Sequence, residues 1–540
     1  MRERKEHWHR DAIVYAIDVR RFQDSNGDGI GDLAGVASRL EYLADLGVTC
    51  LWLLPILSSP LRDNGYDVTD YLRLDPRVGT MEDFLALVHR AGEKGIRILM
   101  DLPVNHTSYQ HPWFLAARYD RHSRYRDYYV WSEEIPAPPD REPVLPGKSG
   151  TVWTYDEKAS AYFHHVFYDF QPDLNVANAQ VRREILGILD YWLSFGVAGF
   201  RIDAANHLVE EEMAQGPRVA RDILQEMRGL MEQRRKDGVL LGEADEDIGK
   251  LGHFFGGGKR LNLLMSFLFS ENALLALAKR EAAPLAALLR ELPRPDPSGQ
   301  WLNFLRNLDE ADLEQLDPAD QEAVCRAFAP DPGDRVFGRG IRRRLAPMLG
   351  NDRARMELAF SLLLSFPGTP LIPYGDEIGM GEDPGRPERE SVRLPMQWSE
   401  EANGGFSQAA ASSLVWPALA SGPFSYHQVN AARQLAEPGS FLRWVRQAVH
   451  ARRGHPAFSG RDWEVHESGH PAVLLHSIRS GESRVLAAHN FAASEAALTL
   501  DRGKLRLESP IAVFGNGRTE SARGGLRLRL PADGYLWLSF

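Results

Sequence analysis

Short apolar runs alternate with amphipathic helical stretches from residue 12 onward, and no other feature constrains the fold as tightly. Apolar runs at residues 12–18, 49–55 and 96–102 are separated by helical patterns at 33–46 and 81–91. Runs this short and continuous suit strands buried on both faces, and the helices between them supply the crossovers of a parallel sheet. Five further runs, at 197–203, 239–243, 261–267, 302–306 and 370–374, bring the strands to eight. Eight is the number that closes an α/β fold of the (β/α)8 or TIM-barrel type.

The rhythm breaks twice. Between the third strand and a helix at 181–195 lie roughly seventy residues rich in Tyr, Trp, His, Pro and Asp, far beyond an ordinary βα connection. They are expected to form an inserted lobe over the barrel mouth, residues 105–176, between barrel portions 1–104 and 177–455, with the Pro-rich stretch 136–143 as its most flexible loop. After a helix at 441–453 the pattern turns to period two, at 472–477, 484–490, 497–500, 526–530 and 535–540. That alternation predicts a C-terminal antiparallel β-sandwich over residues 456–540.

Composition argues against several classes of function. Lys and Arg total 63 against 74 Asp and Glu, a formal charge of −11, and the basic residues are scattered, which speaks against a nucleic-acid partner. The charged N-terminus lacks the apolar centre of a signal peptide, and the most apolar stretch, 40–57, is broken by Asp45 and Gly47. Neither a leader nor a membrane span is expected, and a cytoplasmic location is the default. Cys50 and Cys325 sit in apolar segments and read as buried thiols.

Three acidic residues stand just beyond strand ends, where such a barrel gathers catalytic groups. Asp203 closes Gly199-Phe-Arg-Ile-Asp203, Glu243 lies in Gly242-Glu-Ala-Asp245, and Asp309 closes Arg306-Asn-Leu-Asp309. Cleaving a glycosidic bond with retention needs one carboxylate to attack the anomeric carbon and one carboxylic acid to protonate the leaving oxygen, about 5 Å apart. Asp203 and Glu243 suit those roles. A lone acid is more often a solvated surface group, but two at consecutive strand ends, with Arg201 on the same strand face as Asp203, form a constellation. Arg201 is expected to hold Asp203 ionised and lower its pKa. Glu243 is expected to be partly desolvated, so that it keeps its proton until the leaving group takes it.

A second pattern, Asp24-Ser-Asn26-Gly-Asp28-Gly-Ile30-Gly-Asp32, sets hard oxygen donors at alternate positions with glycines for a sharp turn. Asp24, Asn26, Asp28, Asp32 and the Ile30 carbonyl suit a structural Ca²⁺ ion, the bland alternative being a solvated acidic loop.

Taken in order, Asp101-Leu-Pro-Val-Asn-His106 and the three acidic motifs resemble the α-amylase superfamily, glycoside hydrolase family 13, over nearly the whole chain. The resemblance implies Asp203 as nucleophile, Glu243 as general acid/base and Asp309 as the group that steadies an oxocarbenium-like state through sugar hydroxyls. Gln171-Pro-Asp-Leu-Asn175 is similar to an element of the oligo-1,6-glucosidase and trehalose synthase branch. Ser59-Pro-Leu-Arg-Asp-Asn-Gly-Tyr-Asp67 and Val392-Arg-Leu-Pro-Met-Gln-Trp398 look most like the trehalose synthases, which interconvert maltose and trehalose in a closed pocket.

The same resemblance implies that Asp67, His106, Gln171, Arg201 and Arg393 grip the non-reducing glucose, with Tyr66 and Phe167 offering apolar surface to its ring. It implies a second Ca²⁺ site joining lobe to barrel, from Asn105, Asp173, Glu210 and the main-chain carbonyl of His207. The basic run from Gly338 to Arg344 would support the barrel mouth. The chain departs from the family at Leu308, where His is usual; losing that donor to the sugar would cost about 1–3 kcal/mol of transition-state binding if nothing replaced it. The expected activity is retaining α-glucosyl transfer on a small α-linked disaccharide or oligosaccharide, of trehalose-synthase type. An α-glucosidase, or a transglucosylase using another acceptor, is the alternative, and Ca²⁺ is the one cofactor expected.

Overall fold

The computed structural model describes residues 7–136, 144, 150–208, 222–505, 510–522 and 525–540. Eight parallel strands close a barrel in chain order: β1 (Val14–Ile17), β2 (Cys50–Leu53), β3 (Arg97–Leu102), β4 (Gly199–Ile202), β5 (Val239–Gly242), β6 (Leu263–Ser266), β7 (Gln300–Asn303) and β8 (Thr369–Pro373), which pairs back to β1. Every residue of β1, β2 and β4 to β8 is buried, which is why their sequences run apolar without alternation.

Seven of the eight lie on the expected runs. β7 instead starts at Gln300 and stops at Asn303, so the apolar Phe304 and Leu305 belong to the loop that leads to Asp309. The run was misplaced because Gln300 and Asn303 are fully buried polar residues; Asn303 donates from Nδ2 to the Pro367 carbonyl at 3.1 Å. The helical pattern at 33–46 is broken at Arg39 into Leu33–Ser38 and Leu40–Leu46.

Gly199 lets β4 and β5 approach. Its φ is 156°, and a Cβ there would lie 1.8 Å from the Val239 carbonyl oxygen. No other residue fits that contact, which brings the strands preceding Asp203 and Glu243 side by side.

Between β3 and β4 the chain forms the helix Pro112–Tyr119 and a small antiparallel sheet of Trp131–Ser132, Ala161–His164 and Trp153–Asp156. Phe114 stacks on Trp131, ring centres 5.5 Å apart, and meets Phe163 edge-on at 5.2 Å, in one continuous core with the barrel. Of the Pro-rich stretch 136–143, all but Pro136 lies outside the described residues.

The C-terminal part is a β-sandwich. One sheet has the order β9 (Asp462–Val465), β10 (Val473–Ser480), β11 (Ser483–Asn490), β16 (Tyr535–Ser539), β13 (Ile511–Gly515), and the other β12 (Ala496–Asp501), β15 (Gly525–Leu530), β14 (Arg518–Ala522). Alternation assigns the faces: Val473, Leu475, Leu486, Ala488, Leu536 and Leu538 meet the smaller sheet, whereas Leu474, Ile478, Val485, Ala487 and Trp537 join the barrel core. Strands β13 and β14 carry no buried residue, so no alternation marked them. Cys50 and Cys325 are buried and unpaired, and among the described residues no helix is long and apolar enough to cross a membrane.

Candidate active site

A cavity of about 560 Å³ is lined by Asp203, Glu243 and Asp309 together with Asp63, Tyr66, His106, Phe167, Arg201 and Arg389. That volume suits a small saccharide. A larger cavity, about 680 Å³, lies at the opposite end, lined by Thr49, Ile96 and Asp237, which precede β2, β3 and β5. Barrels of this type carry out catalysis at the C-terminal strand ends, so the smaller cavity is the candidate site.

The ladder continues one residue past each strand. Asp203 N donates to the Leu102 carbonyl at 3.4 Å and Glu243 N to the Ile202 carbonyl at 3.1 Å, which fixes both acids on adjoining rungs. Register sets Asp101 on β3 opposite Arg201 on β4. The Arg201 guanidinium binds three carboxylates: Nη1 reaches Asp101 at 3.0 Å and also Asp203, and Nη2 reaches Glu243 at 2.6 Å. The amide of Ala204 donates to Glu243 Oε2 at 3.2 Å, tying Glu243 to the peptide that follows Asp203. Ala204 adopts φ 49°, a left-handed conformation uncommon outside glycine and asparagine, and it sits in the turn beside both acids.

Sharing one cation among three acids has an electrostatic consequence. Burial drives Asp203 upward, Arg201 offsets only part of it, and Asp101 adds repulsion, so the carboxyl is pushed up to about 6. This reverses the expectation that Arg201 would lower it: the guanidinium is divided. Asp101 also rises to about 6, burial first, with Arg201 offsetting part of it and Glu243 adding repulsion. Glu243 is also raised, chiefly by removal from water with Asp203 adding to it, while its side chain keeps 26 % exposure to the cavity. Asp309 goes the other way. Burial would raise it, but Arg389 and Arg393 outweigh that and hold it at about 2.

The residues expected to grip a sugar separate into two layers. Tyr66, His106, Phe167 and Arg201 line the cavity, with His106 and Phe167 ring centres 5.2 Å apart. Gln171 lies behind them, donating to Asp63 Oδ2 at 2.8 Å and to His106 Nε2 at 3.1 Å. Asp67 does not reach the cavity: fully buried, it accepts from Ser59 Oγ at 2.7 Å and from the amides of Arg62 and Asp63, both at 3.2 Å. Its role is to shape the loop. Arg393 is likewise buried behind the wall, with Nη2 on Asp309 and Nε on the Leu308 carbonyl at 3.4 Å.

The positions that face the cavity in their place are Asp63 and Arg389. Arg389 Nη1 lies 3.0 Å from Asp63 and 3.5 Å from Asp309, bridging two acids across the wall. Neither was singled out from the sequence, although each lies four residues before the residue that was. No spacing rule distinguishes the two members of either pair; their side-chain directions do. Leu308 is 5 % exposed and packs in the main core, so its side chain adds no polar group to the wall. Within the basic run, Arg339 lines the cavity, and Arg344 pairs with Asp376 at 2.8 Å beneath it.

In the loop after β1, Asp24, Asn26 and Asp28 each accept the amide two residues on, at 3.1, 2.8 and 2.9 Å. Asp32 receives Ser25 N at 2.8 Å, and Ser407 Oγ donates to Asp24 at 2.6 Å, so the loop is closed on itself and moored to a distant segment. The donors are hard oxygens throughout, a set that fits Ca²⁺. At the other expected metal position, Asn105 Nδ2 donates to Asp173 Oδ1 at 3.1 Å, while His164 Nδ1 lies 2.8 Å from Asp173 Oδ2. Asn105 Oδ1, beside them, is buried with no hydrogen-bond partner. His207 lines the cavity and meets Phe167 edge-on at 5.6 Å, and Glu210 lies outside the described residues.

Comparison with known proteins places this geometry. Residues 16–294 and 339–460 match the alpha-amylase catalytic domain. The chain is 36% identical to a trehalose synthase of Pimelobacter sp. (strain R48) over 98% of its length and 95% of that protein's. It is 38% identical to a trehalose synthase/amylase of Mycolicibacterium smegmatis over 87% of this chain and 80% of that one. A crystal structure of an alpha-amylase from H. orenii superposes with a TM-score of 0.79 at 27% identity, covering 99% of both chains. With the acids of three strand ends gathered in one cavity, the chain belongs to the alpha-amylase family.

Proposed function

We propose that the protein is a retaining α-glucosyl transferase of trehalose-synthase type, acting on maltose and trehalose. One observation carries the chemistry: a single guanidinium holds Asp203 on one terminal nitrogen and Glu243 on the other. Two carboxyl groups held on one guanidinium are close neighbours, as a retaining pair about 5 Å apart requires and unlike the wider spacing of an inverting one. Asp203, ionised, attacks the anomeric carbon and forms a β-glucosyl ester. Glu243, protonated, gives its proton to the departing glycosidic oxygen and then takes one from the incoming hydroxyl. Asp309 and the Arg389–Asp63 bridge orient the glucosyl ring, which is where positional rate gain arises. Isomerisation follows when the released glucose turns and attacks through its anomeric hydroxyl.

The assignment to this branch is supported by the relative named trehalose synthase, which matches nearly end to end, and by the trehalose synthase/amylase that matches most of the chain. Incubation with maltose tests it. Trehalose among the products is expected; glucose alone would reject isomerisation and favour an α-glucosidase, which shares every catalytic group. We also propose that Asp24, Asn26, Asp28, Asp32 and the Ile30 carbonyl hold a structural Ca²⁺, supported by the all-oxygen donors of the closed loop. The site lies in the β1 loop and takes no part in the chemistry.

A further inference from the structure

The cavity has a second concentration of acids that glucosyl transfer does not use. Asp245 follows Glu243 by two residues on the loop after β5, and Asp312 and Glu314 lie beyond Asp309 on the loop after β7. Carboxylate oxygens from all three fall within 4.8 Å of one another, the one such group of three or more acidic, His or Cys side chains among the described residues. Both oxygens of Asp245 are closed off from solvent and have no hydrogen-bond partner. Beside them, Glu271 is 0% exposed and its Oε2 is also without a partner. Buried carboxylate oxygens left without donors are costly, and a cation is the occupant that satisfies several at once.

Charge and size narrow the occupant. Arg339 Nε lies 3.0 Å from Asp312 and 3.3 Å from Glu314, so it neutralises one of three negative charges and leaves two. Oxygens within 4.8 Å of each other share a point about 2.8 Å or less from all three, so a small inward shift brings them to the distance of about 2.3–2.6 Å that Ca²⁺ takes.

We propose that Asp245, Asp312 and Glu314 bind a hard divalent cation, Ca²⁺ or Mg²⁺, that clamps the loop carrying Glu243 to the loop carrying Asp309. The site is separate from the β1 loop, and it stands or falls independently of which glucoside the enzyme converts.

Calorimetric titration of the EDTA-stripped full chain with CaCl₂ and with MgCl₂ tests it, alongside melting curves. Wild type should bind one more ion than Asp245→Asn, and the cation-dependent rise in Tm should shrink in the variant. In an Asp28→Asn background, which removes the loop site, one ion should remain, and adding Asp245→Asn should weaken it at least tenfold. If that background does not fold, the wild-type and Asp245→Asn stoichiometries alone decide. Equal stoichiometry and equal Tm response in the two proteins would overturn the proposal. So would absence of binding by either metal.

Discussion

Replacing Asp101 with Asn isolates the cost of sharing Arg201. Asp101 and Asp203 both bind Nη1 of that guanidinium, so their nearest oxygens lie about 5 Å apart or less. At an effective dielectric of about 20, a unit charge at that distance is worth about 3 kcal/mol, or about two pKa units for Asp203. Asn removes the repulsion and leaves Arg201 to two acids instead of three. The nucleophile must be ionised, so activity rises as pH climbs through its pKa; wild type should show the acid limb of kcat/KM near 6. In Asp101→Asn that limb should move down by about one to two units. Initial rates on maltose or an aryl α-glucoside, from about pH 3.5 to 9 at constant ionic strength, give the limb independently of the variant's absolute rate. A limb that stays near its wild-type position, or moves upward, would refute the shared-guanidinium reasoning.

Four other outcomes follow. Arg389→Ala should cut kcat/KM about a hundredfold, because two acids lose their common partner at once; a loss confined to Tm with kinetics intact would show that the bridge serves only the fold. Asp67→Asn should change stability but leave KM within about twofold, whereas Asp63→Asn should raise KM at least about tenfold; the reverse ranking contradicts the two-layer arrangement. Leu308→His should lower Tm without raising kcat, because the side chain at that position packs in the core and not on the cavity wall; a rise in kcat of about tenfold would show that it reaches the sugar. Chelation should lower Tm by a few degrees in wild type and much less in Asp28→Asn; equal responses would remove Ca²⁺ from the β1 loop.

Much of the architecture was legible because parallel strands buried on both faces advertise themselves as apolar runs, and eight of them leave few topologies. Where the buried residues were polar, as at Gln300 and Asn303, the run was placed too late. Strands with no buried side chain, β13 and β14, left no signal at all. The acids were legible as motifs at strand ends, but which neighbour faces the sugar was not. Asp63 and Asp67 share one loop, and Arg389 and Arg393 another, and the choice within each pair depends on side-chain direction set by partners far away in the chain: Gln171 and Arg389 on Asp63, and Asp309 on Arg393. The pKa of Asp203 was misjudged for a related reason. Arg201 was visible beside it in sequence, but Asp101 and Glu243, its competitors for that charge, come from β3 and the end of β5.

Trapping the covalent intermediate tests the assignment of the two catalytic acids most directly. A 5-fluoro-α-glucosyl fluoride should label the enzyme with one glucosyl unit, and peptide mass spectrometry should find the added mass on Asp203, with Glu243→Gln still labelled through its activated leaving group. A label on any other carboxylate, or turnover without label while the anomeric configuration inverts, would contradict it.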